Sequence, residues 1–65
     1  MTKVLMVSLT FANKSKSIFS KLGYTCNILH KVKPSGCEYV LIVDAPKNMV
    51  YSTLKEEGIP IKELL

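Results

Sequence analysis

Apolar residues along this chain fall into blocks, and the spacing within each block separates strands from helices. Val4, Leu5, Met6, Val7 and Leu9 form a nearly continuous apolar run. Its length predicts a central strand over residues 3–9. Residues 10–13 then offer several helix caps, after which Ala12, Ser15, Phe19 and Leu22 recur at helical spacing with Ile18 beside them. Lys14, Lys16 and Lys21 face away, so a helix is expected over residues 13–22. Gly23 supplies its stop. Residues 24–32 alternate: Tyr24, Cys26, Ile28, His30 and Val32 point one way, and Thr25, Asn27, Leu29 and Lys31 the other. This is the period of a strand. In the turn at residues 33–36, Pro34 presets φ and Gly36 admits a positive φ. Residues 39–43 are again continuously apolar, a second central strand. Asp44 is placed to cap a second helix and Pro46 to open it. That helix runs through Met49, Val50, Thr53 and Leu54 to a stop at Gly58. Ile59, Pro60 and Ile61 read as a last strand, which the proline confines to a sheet edge.

The order β-α-β-β-α-β predicts an α+β, ferredoxin-like fold: a four-stranded antiparallel sheet with two helices on one face, and one domain over residues 1–65. The two continuous apolar runs belong on its central strands, and the alternating and proline-containing segments on its edges. Both faces of the central strands are apolar. Val4 and Met6 oppose Leu5, Val7 and Leu9; Val40 and Ile42 oppose Tyr39, Leu41 and Val43. Helices cover one face only, so the other is expected to pack on a second copy or a partner. Leu5 and Leu41 are the positions where lysine should block that assembly.

Composition narrows the class. With 48% apolar residues the chain is too hydrophobic for disorder. No apolar run approaches the roughly 20 residues that cross a bilayer. The run at residues 4–7 is too short for a signal-peptide core, so the expected location is the cytoplasm, where thiols stay reduced. The net charge is +4, and all nine basic residues are lysines. Without arginine, bidentate recognition of bases, phosphates or carboxylates has no agent. Nucleic-acid and membrane partners are therefore not expected.

The candidate chemistry is a thiol. Cys37 follows the Lys33, Pro34, Ser35, Gly36 turn between two apolar strands. In the expected topology this turn lies at the end of the sheet where the first helix begins. The positive pole of that helix, together with Lys31, Lys33 and Lys14, would favour a thiolate. Cys26 alternates with core positions and reads as a buried, inert thiol. If residue 32 pairs with residue 39, Cys26 lies about 20 Å from the turn, too far for a disulfide. His30 shares the parity of Cys26. It is either a half-buried edge residue or a group that helps deprotonate Cys37 or orients a ligand. Two cysteines and one histidine without a C-x-x-C fall short of a zinc set. There is no glycine-rich phosphate loop and no Ser/His/Asp set. A carrier or binding module without a bound cofactor is expected in place of an enzyme.

From Thr10 onward the chain resembles the small selenium/sulfur carrier-like family, a ferredoxin-like domain of unknown function. The resemblance rests on the helix after strand one, Lys21-Leu22-Gly23-Tyr24 leading into strand two, the Pro34-Ser35-Gly36-Cys37 turn, the apolar strand at residues 39–43, and Glu56-Glu57-Gly58-Ile59 near the end. It implies that Cys37 is a carrier thiol, with Lys33, Ser35 and Gly36 as its turn environment. Cys37 would hold sulfur or selenium as a persulfide-type adduct and exchange it with donor and acceptor proteins of a relay. The family commonly has glycine after the cysteine. Here Glu38 stands there, and its carboxylate would oppose a thiolate.

Overall fold

The computed structural model describes residues 1–65. Its elements are β1 (Thr2–Met6), α1 (Leu9–Lys21), β2 (Cys26–Lys33), β3 (Gly36–Val43), α2 (Lys47–Glu56) and β4 (Ile61–Leu64). The strands form one sheet in the order β2-β3-β1-β4, with every neighbouring pair antiparallel. This is the ferredoxin-like α+β arrangement expected above, with β3 and β1 central and β2 and β4 at the edges. No helix is long and apolar enough to cross a membrane.

Register decides which side of each strand meets the helices. Val4 pairs with Leu41, and Leu41 with Ile28; Thr2 pairs with Val43, and Val43 with Cys26. Directly paired residues share a face. This face packs on Ala12 and Phe19 of α1 and on Val50 and Leu54 of α2, all essentially without solvent contact. Leu41 is thus a core residue, fully buried. It does not share the helix-free face with Leu5, and its replacement by lysine would unfold the domain instead of blocking an assembly surface. Leu5 instead pairs with Val40, and Val40 with Leu29. These three form an apolar row across the open face, with Ile42 alongside. Val40 is only 5% exposed there because its neighbours shield it; Leu29, at the edge, is 44% exposed.

Several boundaries differ from the sequence expectation. β1 ends at Met6, and Val7 and Leu9 are exposed. Ser8 interrupts the apolar run: its backbone is extended and its hydroxyl accepts a hydrogen bond from the Phe11 N–H at 3.4 Å, so α1 begins at Leu9. At the other end, Gly23 takes φ 88°, and the Tyr24 N–H returns to the Phe19 carbonyl at 3.0 Å. That closure carries Tyr24 and Thr25 out of β2, which begins at Cys26. Asp44 does not cap α2; Pro46 occupies the cap position without a side-chain bond. The Asp44 N–H instead extends the ladder to the Thr25 carbonyl at 2.9 Å. β4 starts after Pro60, with Ile59 buried at the joint.

One buried polar contact links the start of β1 to the turn before α2. The Thr2 hydroxyl donates to the Ala45 carbonyl at 2.7 Å, inside the core. Replacing Thr2 with valine keeps the shape but leaves that carbonyl without its partner. Thr2→Val should cost about 1–3 kcal/mol, read as a lower urea midpoint with unchanged slope, and Thr2→Ser should retain most of the stability.

Candidate functional site: a thiol on a projecting hairpin

β2 and β3 outrun the rest of the sheet. β1 accompanies β3 only as far as the pair Met6 and Tyr39, so Gly36, Cys37 and Glu38 have no β1 neighbour. Three residues of strand carry the hairpin about 10 Å past the end of β1, and the molecule is accordingly elongated, 34 × 20 × 19 Å. The loop itself is only Pro34 and Ser35, because Lys33 pairs with Gly36. Gly36 has φ 130°, a conformation that side chains rarely adopt, so glycine is needed at this corner. β3 therefore begins three residues before the expected Tyr39. The actual cross-strand pairs are Val32 with Cys37 and His30 with Tyr39, not residue 32 with residue 39.

This register gives the two cysteines opposite surroundings. Both are free thiols; Cys26 is buried and Cys37 exposed. Burial pushes the Cys26 thiol above its ordinary value, and Lys16 opposes that shift more weakly. Cys37 lies on the strand face that elsewhere meets the helices, but beyond their reach, opposite a Val32 that is 77% exposed. The start of α1 lies at the same end of the sheet, since β1 leads directly from Met6 through Ser8 into the helix.

His30 is exposed, not half-buried, and stacks on Tyr39 with ring centroids 4.7 Å apart and planes 14° from parallel. Tyr39 also pairs with Met6, so the stack joins the tip to the body of the sheet. His30 and Cys37 occupy the same face one diagonal step apart, a spacing of about 7–8 Å in a regular ladder. No hydrogen bond joins them.

Two of the lysines expected to surround Cys37, Lys31 and Lys33, point elsewhere. Lys31 pairs with Glu38, and Lys33 shares their face, opposite to that of Cys37. There the Lys33 ammonium meets the Glu38 carboxylate at 2.6 Å. This hydrogen bond, assisted by the charges of Lys33, Lys62 and Lys31, holds the Glu38 carboxyl below the usual carboxylate range. The carboxylate that follows the cysteine is thus directed away from the thiol and matched by Lys33. The pair also bridges the two strands across the turn, a contact that the spacing of Lys33 and Glu38 around a two-residue loop could have signalled.

No three His, Cys, Asp or Glu side chains converge as a metal set. The two surface concavities are remote from the hairpin. One, of about 160 Å³, lies between α2 and β4 around Tyr51, Leu54 and Ile59. The other runs between the helices past Ile18, Leu22 and Met49. Cys37 stands on open surface, where a large partner can approach it. Comparison with family models, with curated proteins and with solved structures returned no match.

Proposed function

We propose that this domain is a sulfur or selenium carrier whose attachment point is Cys37, with Lys33, Ser35 and Gly36 forming the turn that presents it. The observation that supports this reading is the contrast between the two thiols: one sealed in the core, the other exposed at the base of a two-residue loop, beyond the end of β1. The thiolate of Cys37 attacks the outer sulfur of a donor persulfide. The donor's sulfur–sulfur bond breaks, its thiolate leaves, and Cys37 retains the transferred sulfur as a persulfide. An acceptor thiolate reverses the exchange at the outer sulfur and releases Cys37. No net oxidation occurs at either step. Selenium transfers by the same substitution. The donor and acceptor are proteins of a relay, since an exposed thiol without an enclosing pocket suits a surface-to-surface handover.

Incubation with a persulfide donor, followed by intact-mass measurement, tests this. Wild type should gain one sulfur, located at Cys37 by peptide mapping. Cys37→Ser should gain none, and Cys26→Ala should load as wild type. Loading confined to Cys26, or no loading of folded wild type, would overturn the proposal.

A second reading, a binding or regulatory module that oligomerises through its sheet face, draws support from the Leu29, Val40, Leu5 row that no helix covers. On that reading Cys37→Ser leaves assembly intact and Leu5→Lys abolishes it.

A further inference from the structure

The two edges of the sheet are not alike. β4 has four residues, follows a proline and carries a register irregularity where it meets β1. These are the devices that keep an edge from recruiting another strand. β2 has neither the shortness, the proline nor the irregularity: it runs eight residues in unbroken register, and its only charged residues, Lys31 and Lys33, sit at the tip, where Lys33 is paired with Glu38. Its outward groups can be assigned. The Thr25 carbonyl accepts from the Asp44 N–H, so it points toward β3. In an antiparallel ladder, alternate residues point their N–H and C=O toward the same neighbour. Asn27, Leu29, Lys31 and Lys33 therefore bond β3, while Cys26, Ile28, His30 and Val32 turn their backbone groups to the free edge.

We infer that this edge pairs with the β2 edge of a second copy, antiparallel about a twofold axis at Leu29, to make a continuous eight-stranded sheet. Only registers that pair the outward residues with each other are allowed, and side-chain chemistry chooses among them. With Leu29 opposite the partner's Leu29, Lys31 meets the partner's Asn27 and Lys33 the partner's Thr25. His30 then meets the partner's Ile28 and Val32 the partner's Cys26. No like charges face each other. Sliding by two residues toward the tip sets Leu29 against a lysine, and sliding by four sets Lys31 against its own copy, which is unfavourable. The chosen register also joins the two open-face rows, Leu5, Val40 and Leu29, into one apolar band across the twofold. It covers Leu29, the most exposed residue of that row.

The arrangement is independent of the Cys37 chemistry. Six strand positions, about 20 Å, separate the two Cys37 residues along the strand direction, so no disulfide links them and the dimer persists in reductant. Sedimentation equilibrium in reductant at rising concentration is the test, with circular dichroism confirming that each variant is folded. Wild type should approach twice its 7.3 kDa chain mass. His30→Pro removes an outward N–H without touching the β3 ladder, and Leu29→Lys places like charges together at the axis. Each should lose the dimer at concentrations where wild type has formed it. Leu5→Lys, far from the edge, should retain it. In the wild-type dimer the amides of Ile28 and His30 should also exchange more slowly than in the dilute monomer. A wild type that stays monomeric at all concentrations overturns the inference. So does a dimer that survives both edge variants or that Leu5→Lys abolishes.

Discussion

Phe19→Ala is expected to leave this domain without a stable folded state. Phe19 is the largest fully buried side chain, carried by α1 into the layer that holds Leu41 and Leu54. Removing a buried phenylalanine side chain costs about 3–5 kcal/mol, from lost transfer energy and the cavity left behind. A 65-residue chain has little to lose: at ordinary per-residue stability it holds about 3–10 kcal/mol in total. The loss is compounded by position. The Phe19 carbonyl accepts the Tyr24 N–H that closes the end of α1, so loosening this residue also frees the connection into β2. Far-UV circular dichroism with urea titration should show a largely unfolded chain, or a midpoint shifted close to zero denaturant. Lys16→Ala, on the exposed side of the same helix, should barely move it. A Phe19→Ala protein that unfolds cooperatively at the wild-type midpoint would mean the core is not organised around this ring.

The element order and the roles of the strands were legible because they depend on burial along a single segment. Continuous apolar runs marked β1 and β3, alternation marked β2, and Pro60 marked the edge at β4. The parity of Cys26 with Ile28 was enough to assign that thiol to the core. What could not be read from single segments was anything set by pairing between them. The face that Leu41 shares with Val4 follows from the β1–β3 register, and an apolar residue on either side of a central strand looks the same in sequence. The length of the hairpin is of the same kind. Gly36, Cys37 and Glu38 are small or polar and resemble turn residues, yet they pair regularly once the loop closes at Lys33 and Gly36. Ser8 was hidden for a local reason: exposed Val7 and Leu9 flank it, so the cap lies inside what reads as one apolar run. The direction of Lys33 toward Glu38, and hence away from Cys37, follows from the same register, and the spacing of the two residues signals it only once the loop is known to be Pro34 and Ser35.

The two thiols should differ in alkylation rate by a factor of about 10² or more under native conditions. Cys37 is exposed and reacts directly. Cys26 reacts only when the domain opens, so its rate is scaled down by the opening equilibrium, tenfold for each 1.4 kcal/mol of protection. With limiting iodoacetamide, intact mass should show one adduct forming early, on Cys37, and a second appearing slowly. In Phe19→Ala the difference should collapse, which connects this measurement to the first. pH supplies a further check with a definite sign. Burial holds the folded Cys26 thiol above its ordinary value of 9.0, so the unfolded chain releases this proton first. The stabilisation is fully present below the unfolded value and is lost as pH rises through the folded one. Urea midpoints should therefore decline as pH climbs past about 9, and part of that decline should disappear in Cys26→Ala, whose core carries no ionisable group at this position. Faster reaction at Cys26 than at Cys37 in folded wild type would place the accessible sulfur elsewhere and remove Cys37 from contention as the carrier.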